Sequence, residues 1–517
     1  MNLLKTLAAI SSMTMISRMT GLVRDVLYAS YFGAGSMMDA YVQAFKIPNF
    51  FRRLFAEGAF SQAFVPILAE YRNQKGDQET KELVDHVATV LTWVLLATCV
   101  LGVLGAPVFV YMFSSGFINY PEKFELTVLL TRIMFPYIAF MSLVALSSGI
   151  LNTWRRFKIP AFSPVLLNLS FITATLFFTQ YFEKPIVALG VAVFVGGVLQ
   201  LLIQIPSLIK IGMLPRITAN PAFALRDPKV RRVLRQMGPA VLAVSATQIS
   251  IMINSTWASW LPDGSASQLN YADRLMEFPS ALLGVALGTV LLPSLSAAKF
   301  KADKTEYSAL LDWGLRLTFL LALPAAVGLL TLPDALTATL FHSGKFDAHA
   351  VHETAKAVAA YGVGLSGLIL VKILAPGFYA QQNIRTPVRI AMLVLLMTQM
   401  MNILFVPLIH QAGLALSVGL GACVNAFLLY RGLRLRGLYV PRAGWMKFML
   451  KLAVALIVMA SVAFALSKQV SWLDMHGSRW LRGGVLGGVI VSCMVAYFAS
   501  LIAMGVRPRD FRKMALE

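Results

Sequence analysis

Charge is what this sequence has least of. Only 13% of its 517 residues are Asp, Glu, Lys or Arg, against roughly a quarter in ordinary globular proteins. With 58% hydrophobic residues and a mean hydropathy of +0.71, a soluble enzyme is excluded first. Acidic residues are scarcer than basic ones, 24 against 45, which leaves a formal charge of +21. In a soluble chain that surplus would point to nucleic acid, so its placement has to decide. Cysteine is confined to Cys99, Cys423 and Cys493, each inside an apolar run and far from the others, which excludes a disulfide framework and a zinc-ligand spacing. A phosphate loop is missing: Gly344-Lys345 is followed by Phe346 and lacks the upstream glycine, so ATP hydrolysis by this chain has no support. His349 and His352 stand beside Glu353 in a loop assigned to the outer face, and read as a solvated loop; no metal is expected. The N-terminal apolar stretch is interrupted by Arg18 and has no small-x-small cleavage site, so it reads as a retained first helix.

What is abundant is apolar length. Windows of about 20 residues, the length of a spanning helix, give about fourteen spans and an all-α polytopic membrane protein. They centre near Thr20, Phe45, Leu96, Tyr137, Ile172, Val198, Ile249, Leu283, Leu320, Gly367, Val394, Ala422, Val458 and Val491. With both termini in the cytoplasm, the loops on that side collect roughly thirty basic residues and the opposite loops about six, as the positive-inside rule requires. The charge surplus is therefore topological, and no nucleic acid partner is expected.

Residues 1–211 hold spans one to six, and 212–235, with Pro215, Pro221 and Pro228, read as a cytoplasmic linker. Residues 236–437 hold spans seven to twelve, and 438–517 the last two spans and a basic cytoplasmic tail. Gly35-Ser36 before Phe64 to Leu68 is echoed by Gly264-Ser265 before Leu291 to Leu295. Likewise Gly190, Val193, Gly196 and Gln200 are matched by Ala415, Val418, Gly421 and Asn425. Six helices per half is an even number, so the expected lobes are related by a pseudo-twofold along the membrane normal, with substrate bound between them.

An arginine at the bilayer centre costs about 2.5 to 3.5 kcal/mol on insertion scales, so intramembrane charge needs a reason. Span one carries Arg18, Arg24 and Asp25; span two carries Asp39 and Lys46, then Arg52, Arg53 and Glu57. Span eight carries Asp273, Arg274 and Glu277, whose spacing places them within reach of one helix face. Several arginines in a water-filled cavity suit a multiply charged anion, because guanidinium forks bind phosphate oxygens bidentately and stay charged. A diphosphate answers that description better than a lone carboxylate. Asp39, Asp273 and Glu277 could hold the arginines apart in an empty site, or take up a proton or cation. Plainer roles stand beside these. Arg52 and Arg53 could be interfacial anchors, with Glu57 pairing Arg53, and Asp25 could merely neutralise a nearby arginine. Lys46, Arg132, Arg316, Lys356, Lys372 and Lys451 occur singly near presumed helix ends and read as snorkelling. No such route is obvious for Arg18, Arg24 and Arg274.

SRMTGLVRD from Ser17 to Asp25, FRRLFAEGAFSQAFVPILAEYR from Phe51 to Arg72, and YADRLMEFPSALLGVALGTVLLPSLS from Tyr271 to Ser296 together resemble the MurJ (MviN) family of lipid II flippases. That family lies within the multidrug, oligosaccharidyl-lipid and polysaccharide exporter superfamily. The likeness runs along essentially the whole chain, including KILAPGFYAQQNIRTPV from Lys372 to Val388. It implies a fourteen-helix protein of the bacterial inner membrane that carries the undecaprenyl-diphosphate-linked disaccharide-pentapeptide outward for peptidoglycan synthesis. It implies a cationic cavity of Arg18, Arg24, Arg52 and Arg274, accompanied by Asp25, Asp39, Arg53, Glu57, Asp273 and Glu277. It also implies a lipid-tail groove formed by the last two spans. Some members carry a sodium site on helices seven, eleven and twelve; residues 238–261 here contain no Asp or Glu, and span eleven offers only Thr398 and Asn402, so the chain departs from that pattern.

The expected mechanism is alternating access without a cofactor, coupled to the membrane potential or to a monovalent cation. Outward movement of an anion gains about 2.3 kcal/mol per charge per 100 mV. Expected partners are lipid II and membrane lipids, with no ATP, for a monomer. The alternative is a cation-coupled exporter of another lipid-linked glycan or of drugs. A cavity for organic cations should be acidic or aromatic, which disfavours the drug version, whereas another glycan diphosphate would meet the same arginines. An integral enzyme acting on lipid-linked sugars would need an acid, base or metal cluster at a membrane face, and a scaffold would leave the intramembrane charges without a reason.

Overall fold

The computed structural model describes residues 3–54, 60–300, 303–475 and 479–506, and among these every regular element is helical. The chain divides into two compact units, Met1–Ala266 and Ser267–Glu517. The first contains α1 (Leu3–Phe32), α2 (Ser36–Phe51), α3 (Ser61–Gln74), α4 (Asp77–Leu104), α5 (Ala106–Phe113) and α6 (Pro121–Met134). It continues with α7 (Tyr137–Thr153), α8 (Lys158–Thr173), α9 (Val187–Leu202), α10 (Ile205–Lys210), α11 (Pro221–Arg226) and α12 (Pro228–Ser259). Helix α13 (Ser265–Phe300) starts at the boundary, and the second unit adds α14 (Lys304–Thr331), α15 (Pro333–Phe341), α16 (Ala348–Tyr379) and α17 (Arg385–Leu435), then α18 (Trp445–Lys468) and α19 (Arg479–Ala503).

Helix starts follow the local chemistry. Pro121, Pro221, Pro228 and Pro333 occupy the first turn, where a missing N–H costs nothing. The Asp227, Asp303 and Asp347 side chains accept from backbone N–H groups of the turn that follows. All the span centres expected from sequence fall within helices, two of them in α17. There the backbone turns back at Ile409 and His410, the latter at φ +48° and ψ −127°, just after Pro407. Nine helical stretches among the described residues are long and apolar enough to cross a membrane. Of the helices that hold expected spans, α1, α2, α12 and α13 fall outside that set, and α1, α2 and α13 are those whose internal charge the sequence analysis singled out.

Glycines set the closest approaches. A Cβ at Gly196 would lie 2.5 Å from Leu167 of α8, and one at Gly421 would lie 2.4 Å from Thr398 earlier in α17. The two glycines that the repeat pairs thus let the sixth span of each half lie on the fifth. At Gly364 a Cβ would lie 2.0 Å from the Gly419 Cα, backbone against backbone between α16 and α17. Gly364→Ala is therefore expected to cost about 1–3 kcal/mol. That should be read as a lower Tm of detergent-purified protein against Gly328→Ala, where a Cβ meets nothing within 4 Å.

Packing adds two features to the chain's organisation. The boundary between compact units falls at 266/267, so the seventh span, α12, groups with the first unit. Val230, Val233 and Met252 of α12 pack into the apolar clusters of that unit, and polar contacts add to them: Gln43 Nε2 donates to the Ser255 carbonyl at 2.8 Å, Thr256 Oγ1 to the Phe113 carbonyl at 3.2 Å, and the Gly116 N–H to Ser259 Oγ at 3.1 Å. The 212–235 segment, expected as a linker, is strapped onto α3 and α4. Arg232 makes a bidentate pair with Glu70 at 2.9 and 2.7 Å, His86 Nδ1 lies 2.6 Å from Asp227, and the Arg216 N–H donates to Asp85 at 2.8 Å. The Arg232 guanidinium holds the Glu70 carboxyl below the usual carboxylate range.

Candidate functional site

The Arg24 side chain is 13% exposed. Its Nε and Nη2 both donate to Asp25 Oδ1, at 2.9 and 2.7 Å, and its Nη1 donates to Asn168 Oδ1 on α8 at 2.9 Å. The guanidinium carbon lies 5.6 Å from the Tyr28 ring and 5.5 Å from that of Phe171, within cation–π range. Those rings belong to an edge-to-face group with Tyr41 and Phe45 that joins α1, α2 and α8. Asp25 is thus the immediate counterion of Arg24. Arg18 is exposed on the same helix, Arg53 is exposed, and half-buried Arg52 donates from Nε to Asn49 Oδ1 at 3.0 Å, where the helix widens into a π turn at 52–54. Glu57 lies outside the described residues, and with it the proposed pairing to Arg53.

In the second unit, Arg274 Nη1 donates to Glu277 Oε2 at 3.1 Å, with side chains 39% and 60% exposed. Asp273 neighbours the Tyr361 hydroxyl of α16. The local spacing read from sequence therefore does bring Arg274 and Glu277 together, while Asp273 lies beside α16.

Asp39 is placed with other partners. It is 1% exposed, and its Oδ2 accepts from Lys123 Nζ at 2.9 Å and from the Gly264 N–H at 2.8 Å. Lys123 also reaches Asp263 at 2.5 Å and lies 4.2 Å from the Phe117 ring. The carboxylate expected among the arginines is instead the centre of an ion cluster tying the start of α2 to the start of α6 and the α12–α13 turn. The second unit has an amide at the matching place: Gln268, which follows Ser265 as Asp39 follows Ser36, accepts from Gln411 at 2.9 Å, and Gln411 also donates to Glu353 at 3.0 Å.

Arg316, expected to snorkel, is instead 8% exposed and donates from Nε to Asp312 Oδ2 at 2.8 Å. Asp312 Oδ1 accepts from Tyr439, Trp445 and the Arg442 N–H at 2.8, 2.7 and 3.2 Å, and Arg316 Nη2 donates to the Ala443 carbonyl at 3.0 Å. This hub fastens the start of α18 to α14. Burial and the bond to Asp312 raise the Tyr439 hydroxyl pKa. Lys372, also expected to snorkel, bonds Ser280 through both the carbonyl and Oγ at 3.0 Å. Among the described residues no group of His, Cys, Asp and Glu could hold a metal ion.

Long apolar helices in two units, with arginines and carboxylates paired inside them, define an integral membrane transporter. The fold resembles an inward-facing multidrug resistance transporter of the MATE family, at 16% identity and a TM-score of 0.61 over 83% of this chain and 98% of that one. It is closer to a solved lipid II flippase MurJ in an inward-closed conformation, at 26% identity and a TM-score of 0.78 over 95% of this chain and 99% of that one. The family model for lipid II flippase MurJ matches residues 28–477. The lipid II flippase MurJ of Burkholderia cenocepacia is 53% identical over 515 residues, all of both chains, and the probable lipid II flippase MurJ of Vibrio cholerae is 39% identical over 99% of this chain and 98% of that one. The chain belongs to the MurJ family, which is one of inner-membrane transporters rather than enzymes.

Proposed function

We propose that this protein flips lipid II, the undecaprenyl-diphosphate-linked peptidoglycan precursor, from the cytoplasmic to the periplasmic leaflet of the inner membrane. The observation that carries the reading is the 53% identity to the Burkholderia cenocepacia flippase along the entire chain. Arg18, Arg24, Arg52 and Arg274 take the diphosphate, since guanidinium forks match phosphate oxygens and keep their charge. Asp25 serves as counterion to Arg24, and Glu277 to Arg274. Transport proceeds by alternating access in a monomer with both termini in the cytoplasm, without ATP. The membrane potential or a monovalent cation drives or resets the cycle, at about 2.3 kcal/mol per charge per 100 mV.

Depleting the protein from its host tests this. Labelled lipid II should accumulate yet stay inaccessible to a probe confined to the outer leaflet. Unchanged outer-leaflet lipid II would assign the chain another lipid-linked anion.

A further inference from the structure

Asn168 uses its amide at both ends. Its Oδ1 accepts from Arg24 Nη1 at 2.9 Å, while its Nδ2 donates to the Ser17 carbonyl at 3.0 Å and to Thr20 Oγ1 at 3.2 Å. The side chain is 7% exposed on α8, and the partners fix its orientation. Turned over, it would set an NH2 against a guanidinium and an oxygen against a carbonyl. Arg24 has five N–H donors. Asp25 takes two of them and Asn168 a third, which leaves one on each terminal nitrogen.

Charge separates an amide from an acid here. Arg24 and Asp25 already cancel. A carboxylate at position 168 could accept the same Arg24 N–H with nearly the same shape, but it would make the cluster net negative and repel an anionic ligand. The amide grips the guanidinium and adds no charge. We propose that Asn168 is a positioning residue of the anion site: it fixes Arg24 so that its two remaining donors are held for phosphate oxygens, and keeps the cluster neutral enough to admit them. This rests on the reading of Arg24 as a diphosphate ligand.

The test is the affinity of the purified full-length protein for lipid II, with Tm measured on the same samples. Asn168→Asp is expected to weaken binding about tenfold, and by more than Asn168→Ala. In an Arg24→Ala/Asp25→Asn background Asn168→Ala should change nothing, because no guanidinium is left for the amide to hold. A merely structural role predicts the reverse order, with the near-isosteric Asp milder than Ala, and would overturn the proposal. If the Asp variant does not fold, Asn168→Ser decides: it keeps a neutral acceptor and should bind more tightly than Asn168→Ala, and equal affinities would overturn the proposal. Wild-type affinity in Asn168→Asp beside weakened binding in Arg24→Ala/Asp25→Asn would sink the role of Asn168 alone. Failure of the wild type to bind lipid II, or undiminished binding without Arg24, would sink the diphosphate reading and this inference with it.

Discussion

Lys123→Met is expected to destabilise the protein by about 3–5 kcal/mol, the cost of leaving a buried charge without its partner. The Lys123 and Asp39 side chains are 3% and 2% exposed, so water cannot replace the lost ammonium at Asp39. Asp263 is 54% exposed and will be resolvated, so the loss comes almost wholly from Asp39. Asp39→Asn should cost less, because Lys123 keeps Asp263 and Gly264 can still donate to the amide oxygen. The double variant should then be more stable than Lys123→Met alone, since both buried charges are gone; that sign reversal separates an ion cluster from simple packing. Thermal unfolding of the three variants in detergent measures it. A Lys123→Met protein as stable as the wild type would mean that Asp39 is not buried as described.

The contrast between legible and illegible features follows sequence distance. Spans were readable because twenty apolar residues are a local signal, and α17 shows the same logic, its two spans recognisable although a tight turn at His410 joins them. Arg24 with Asp25, and Arg274 with Glu277, are neighbours on one helix, so their pairing could be read from spacing. Lys123 lies 84 residues from Asp39, and Asn168 lies 144 from Arg24; no periodicity announces either contact. The strapped 212–235 segment is similar, since the acids Glu70, Glu82 and Asp85 and the basic segment that meets them are far apart in the chain. Asp312 and Arg316 are another matter. Four residues apart on one helix, they carried a usable signal, and treating Arg316 as a solitary cation overlooked it.

Arg274→Ala is expected to abolish transport while leaving stability nearly intact. Its partner Glu277 is 60% exposed and Arg274 itself 39% exposed, so the pair is worth no more than about 1 kcal/mol to the fold after solvent screening. Arg24→Ala cannot be interpreted so simply, because it takes the adjacent guanidinium from Asp25, 6% exposed, and the donor from Asn168 Oδ1 together. A failure to grow on that variant would read unfolding as well as transport, and the Arg24→Ala/Asp25→Asn pair removes the larger part of the objection, the buried charge. The pair of Arg274 with Glu277 is solvent-screened, unlike that of Arg24 with Asp25. Arg274→Ala supplied as the sole copy should reach wild-type levels in the membrane, yet fail to sustain growth and leave outer-leaflet lipid II depleted. Arg274→Lys should be intermediate, because an ammonium keeps the charge but loses the bidentate fork, whereas Glu277→Gln should be tolerated. Normal growth on Arg274→Ala at normal membrane levels would remove Arg274 from the anion site.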